Sequence, residues 1–166
     1  MLINKKIEAE KEDENTAVAG DIFDLADAFL SIESMRYRKL QKICYYAKAW
    51  HLALFDCNLI AEHFEAWVGG AMQPELYEKY KGYGLEKIPK KENTEGIPKE
   101  FLSFAEEVFA AYGHLSDFDL EWINHREQPW IEARGGCEPW EHCTNVILEE
   151  SMRWFYGAMV ERKTKN

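Results

Sequence analysis

No apolar run in this 166-residue chain approaches the about 18 residues that a bilayer-crossing helix needs. Cysteine is scarce: Cys44, Cys57, Cys137 and Cys143 are too few for a disulfide scaffold of this size, and no CxxC pair occurs. Cys44 lies among Leu40, Ile43 and Ala47 and reads as a small buried hydrophobe. Zinc on Cys137, His142 and Cys143 would need a fourth ligand from elsewhere, so no metal is assigned. No GxSxG, HExxH, P-loop or GxGxxG is present, so no catalytic or cofactor-binding residue is assigned either. Positive charge is short as well, with 20 Lys and Arg against 30 Asp and Glu and a formal net charge of −10. Every phosphate contact needs a cation, so this balance argues against nucleic-acid backbone and favours solubility or a basic protein partner. The opening MLINKKIEAEKEDENT lacks the apolar stretch of a signal peptide, and a cytoplasmic protein is expected.

What the chain has in quantity is aromatic side chains. Residues 40–84, LQKICYYAKAWHLALFDCNLIAEHFEAWVGGAMQPELYEKYKGYG, hold seven Tyr and Trp and two Phe in 45 positions. Aromatics are the costliest residues to leave in water and dominate interface energetics. A segment so rich in them, with no nucleophile–base pair, points to packing and recognition before catalysis.

The length fits one domain with a real core. Residues 1–19, with the run Glu8-Ala9-Glu10-Lys11-Glu12-Asp13-Glu14, read as an acidic arm; residues 20–160 as the domain; residues 161–166 as a short basic tail. Asp21 is a candidate N-cap for a helix with Ile22, Leu25, Ala26 and Phe29. Ser34 is read as the cap of a helix running to about residue 54. That helix has one apolar stripe on Leu40, Ile43, Cys44, Ala47, His51 and Leu54, and a second on Tyr46 and Trp50, so it is expected to be central. Leu59-Ile60-Ala61 and residues 64–68 read as extended segments broken by Gly69-Gly70. Pro74 opens a helix holding Leu76, Tyr77 and Tyr80, which Gly82 and Gly84 stop. Residues 85–99 form a surface connection anchored by Ile88 and Ile97. A helix over 99–112 ends at Gly113, and a Ser116…Asp119 box starts the next, which Pro129 ends or bends with Trp130 just beyond. The last helix is expected from Thr144, with Val146, Ile147, Met152, Phe155 and Met159 inward. The fold class is mainly α, one compact helical domain with a short two-stranded element near 58–68.

Three constellations are weighed. His125 and Glu127 are the nearest approach to a catalytic pair, yet residues two apart on a helix face different sides. His125 suits a helix C-terminus, where the dipole favours it and it locks the turn into Pro129-Trp130. Lys39, Lys42 and Lys48 interleave with Tyr45, Tyr46 and Trp50 as a nucleic-acid stacking platform would, but burial of those rings accounts for them better. Trp67 and Tyr77 flank the turn over 69–74 and serve equally as core or as a groove for a partner.

The motifs Leu40-Gln41-Lys42, Tyr45-Tyr46, Trp50-His51-Leu52, Ala66-Trp67, Gly69-Gly70, Pro74 and Tyr77, with the later His125-Arg126-Glu127-Gln128-Pro129-Trp130, have a family look. Across about residues 21–156 the chain resembles the Panacea domain of SocA-like and GepA-like antitoxins of bacteria and their phages. It departs at Gly70-Ala71-Met72, where that family usually has Gly-Pro-Val. The resemblance implies an antitoxin that neutralises a cognate toxin by direct binding, in the SocA branch as an adaptor to a ClpXP-type protease. It implies a partner surface on Trp67, Gly69, Gly70, Pro74, Tyr77, His125 and Trp130. Two rivals stand beside it: a phage accessory protein that inhibits a host defence, and an enzyme using His125 and Glu127.

Overall fold

The computed structural model describes residues 18–165, so the acidic arm expected over 1–19 falls almost wholly outside the described residues. Within them lie seven α-helices and two small two-stranded sheets: a mainly α domain. Helix α1 (Ile22–Ile32) begins at Asp21, whose Oδ1 accepts from the amides of Phe23 and Asp24 while Asp24 Oδ2 accepts from the Asp21 amide. A reciprocal cap of this kind satisfies donors that the first turn would otherwise leave unpaired.

Helix α2 (Tyr37–Phe55) is the axis of the fold. Thirteen of its 19 residues are buried, among them Gln41, Lys42 and Lys48, so it is enclosed on every side rather than along two stripes. Helix α7 (Glu149–Thr164) packs along it, with α1, α4 (Lys99–Tyr112) and α5 (Asp117–Asn124) closing the remaining faces. Its start differs from expectation. Ser34 Oγ donates to the Ile88 carbonyl at 2.6 Å, holding strand β1 (Met35–Arg36) antiparallel to β4 (Lys87–Ile88), and α2 begins only at Tyr37.

The second sheet is the hairpin β2 (Glu65–Trp67) and β3 (Gly70–Met72), registered Glu65↔Met72 and Trp67↔Gly70. The extended element expected near 58–68 thus pairs forwards, across Val68-Gly69, and the Gly69-Gly70 read as a break opens the partner strand. On the other edge, Ala66 N donates to Asn145 O at 2.9 Å and Ile147 N to Phe64 O at 2.8 Å. Those bonds draw residues 145–147 out of helix, which is why α7 starts at Glu149 and not at Thr144. Ile147 is buried and Val146 exposed, the alternation of a strand. On α7 itself, Met152, Tyr156 and Val160 are buried, while Phe155 and Met159 only border the core.

Helix α3 (Pro74–Tyr80) has proline in its first turn, and the Gln73 side chain accepts from Leu76 N at 2.7 Å. The Ser116…Asp119 box caps α5 as its spacing predicts. Pro129 does not bend α5. That helix ends at Asn124, and Pro129 with Trp130 lies in a separate short helix, α6 (Gln128–Arg134). No helix among the described residues is long and apolar enough to cross a membrane.

Candidate functional site

Two motifs distant in sequence meet at the β2–β3 hairpin. Trp130 Nε1 donates to the Trp67 carbonyl at 3.0 Å, and Arg134 Nη1 to the Ala66 carbonyl at 3.2 Å, so α6 is bonded to the back of β2. His125 caps the C-terminus of α5, and its ring stacks on Trp130 at 4.3 Å between centroids. Burial lowers its pKa from the usual imidazole value, so it carries little charge towards Glu121, 4.0 Å away. In front of the hairpin, Trp67 meets Tyr77 edge-on at 4.9 Å and His142 at 5.2 Å, and Tyr77 meets Tyr37 at 5.9 Å. Trp67 Nε1 is satisfied by Glu65 Oε1 at 2.8 Å. Trp67, Tyr77, His125 and Trp130 are all half-buried, held at one side and open at the other. Tyr37 and His142 belong to the same face, although nothing in their sequence surroundings singles them out.

The two glycines differ. A Cβ on Gly69 would meet nothing within 4 Å. Gly70 is buried at φ +100°, and a Cβ there would lie 2.6 Å from Lys42 Cε and 2.8 Å from Asn124 Oδ1. Only glycine combines that backbone with that clearance. Beyond it, Ala71 N donates to Asn124 Oδ1 at 2.7 Å, a bond that proline, the usual residue here in the resembling family, cannot make. Gln41 brackets Gln73 as a neighbouring strand would, accepting from its amide at 2.7 Å and donating to its carbonyl at 3.0 Å. Pro74 then starts α3 and places Tyr77 against Trp67.

Beneath this face lies a buried polar layer that helical periodicity does not reveal. Lys42 is fully buried, its Nζ within 3.4 Å of Met72 Sδ and, among the described residues, without a carboxylate partner; burial pulls its pKa down to about 8. Glu127 turns inward, away from His125. Its Oε1 accepts from Tyr46 at 2.5 Å and Tyr156 at 3.1 Å, and burial raises its pKa to about 7 although those hydroxyls favour the charged form. Tyr46 stacks on Tyr112, whose hydroxyl accepts from Trp50 Nε1 at 2.7 Å. His125 and Glu127 therefore have separate partners, and the acid–base pair of the enzyme reading is not assembled. Tyr45, Tyr46, Lys42 and Lys48 are all buried, so the stacking platform is not a surface.

The sequence matches the family described as antitoxin SocA-like, Panacea domain, over residues 40–131, more than half of the chain. The chain belongs to that family. That makes it an antitoxin-family protein, and the kind of partner the Panacea family implies is a toxin. No curated protein and no solved structure gave a significant match. The matched span begins within α2 and ends in α6, so it contains the whole hairpin, both aromatic motifs and Glu127, but not α7 with Tyr156.

Proposed function

We propose that this Panacea-domain protein neutralises a cognate toxin by binding it directly through the aromatic face of Trp67, Gly69, Gly70, Pro74, Tyr77, His125 and Trp130. The observation that carries the reading is the meeting of the two aromatic motifs around one hairpin, with their rings half-exposed. Binding hot spots concentrate in Trp and Tyr held rigidly in partly desolvated surroundings. Neutralisation needs such a surface and no reacting group. The net charge of −10 suits a basic toxin and speeds its encounter. In the cytoplasm, the likeness to the SocA branch extends the proposal to delivery of the toxin to a ClpXP-type protease.

The test is Tyr77→Ala, assayed for rescue of growth from the cognate toxin and for its melting curve. We expect a domain that still melts cooperatively and binds at least about tenfold more weakly, a loss of about 1.4 kcal/mol or more. Undiminished rescue and affinity would remove this face as the binding site. Toxin half-life with and without the antitoxin, in cells that have or lack the protease, checks the adaptor role; an unchanged half-life limits the protein to sequestration.

A further inference from the structure

Residues 135–143 join α6 to the extended segment that pairs with β2, and they carry two thiols at their base. Cys137 N donates to Arg134 O at 2.8 Å, and Glu141 N to Glu138 O at 3.0 Å, so the chain turns back on itself. The return brings Cys137 Sγ and Cys143 Sγ to 2.7 Å, both as free thiols, with Cys137 partly exposed and Cys143 buried. A bonded pair stands at about 2.0 Å, so closing the bond asks for a small displacement. Between them, Trp140 is exposed at the turn and His142 packs on Trp67. The other cysteines are placed differently: Cys44 is fully buried, and Cys57 faces His51 Nδ1 at 3.9 Å.

The geometry points to a reversible disulfide between Cys137 and Cys143, formed on exposure to a peroxide, that clips the loop holding His142 against Trp67. One sulfur, as thiolate, attacks a peroxide oxygen. The O–O bond breaks, hydroxide leaves, and the sulfur becomes a sulfenic acid. The second sulfur displaces that oxygen as water and forms the S–S bond. Two thiols are oxidised, hydrogen peroxide is reduced to two waters, and a dithiol reductant reverses the step. The Cys137 thiol is pushed up, first by its hydrogen bond to Cys143. The disulfide stands whether or not the face around Trp67 binds a toxin.

The experiment treats the full-length protein with hydrogen peroxide, blocks remaining thiols with iodoacetamide and maps the peptides after cleavage by a glutamate-specific protease. We expect Cys137 and Cys143 in one disulfide-linked species, lost on reduction, with Cys57 alkylated. Cleavage after Glu138 and Glu141 should slow by at least roughly threefold in the oxidised protein, since proteolysis follows local opening. A variant with Cys44→Ser and Cys57→Ser should keep the linkage, and Cys137→Ser should abolish it. Full alkylation of both loop thiols after peroxide overturns the proposal, as does overoxidation of one of them without a linkage. The wild-type map decides the question even if a variant folds poorly.

Discussion

Lys42 and Lys48 stand six residues apart on the same buried helix, and they are treated in opposite ways. Lys48 Nζ donates to the carbonyls of Ile60 and Glu62 and to Glu149 Oε1, at 3.1, 2.6 and 3.0 Å. Glu149 also accepts from Asn58 at 2.9 Å. Burial pulls Glu149 upwards, but Asn58 and Lys48 hold its pKa below the usual value; burial lowers the Lys48 pKa despite the same attraction. Both values thus fall: the partners outweigh desolvation at Glu149, a quarter exposed, and only partly offset it at the buried Lys48. What Lys48 secures is geometry: the strap over 58–62 is fastened to the N-terminus of α7. Among the described residues Lys42 has no such partners, only a thioether, a glycine and the edge of Asn124. The comparison separates an ammonium used as a staple from one carried at a cost beneath the candidate binding face.

The most damaging way to disturb the Lys42 side is Gly70→Ala. Backbone strain at φ +100° adds to contact with Lys42 Cε and Asn124 Oδ1, and the domain should lose about 3–4 kcal/mol in chemical denaturation. Gly69→Ala, one residue away and unobstructed, is the control and should change stability little.

Next in size come the two pH windows. The Glu127 pKa is raised in the fold from 4.5 to about 7, so its contribution to stability is fully present below about pH 4.5 and is lost as pH rises through 7. Lys42 is lowered from 10.5 to about 8, so its penalty is fully present below about pH 8 and is relieved as pH rises towards 10.5. Each window spans about 3 kcal/mol at about 1.4 kcal/mol per unit. Glu127→Gln should flatten the first slope and Lys42→Met the second, read as differences from the parent in denaturant midpoint against pH. A Lys42→Met protein that keeps the alkaline rise would place a counterion beside Lys42 and end the contrast.

Lys48→Met should cost about 2–3 kcal/mol, below the figure for a wholly buried pair because Glu149 is a quarter exposed and rehydrates. At neutral pH, Lys42→Met should do the reverse and stabilise by about 1–2 kcal/mol, since it removes a buried charge without orphaning a partner. Equal losses in the two variants would mean that the lysines are alike after all.

The starts of α1 and α5, the central position of α2 and the mainly α class were legible because they depend on neighbours three or four residues away: the Asp21 and Ser116 caps are complete in the local sequence. The lysines were not. A helical wheel assigns Lys42 and Lys48 to water, and only the approach of β3 and of the 58–62 strap encloses them. Long-range pairing misled in the same way at residues 145–147, whose strand character comes from Phe64 and Ala66 and not from their own pattern. At the candidate site, the residues of each motif could be named in advance. That Trp130 donates to Trp67 depends on where α6 docks, and that is a tertiary fact.

The embrace of α2 by α7 has a temporal side. Tyr45 and Tyr156 touch hydroxyl to hydroxyl across 111 residues of sequence. At about 5–20 residues per second, a ribosome takes roughly 5–20 s to add the missing helix after α2 has emerged. Throughout that interval Tyr45 and the Lys48 ammonium lack the wall that α7 supplies. Synthesis of this antitoxin-family domain therefore includes a lag in which chain length, not chemistry, decides when its core can close, and α7 is the helix that completes it.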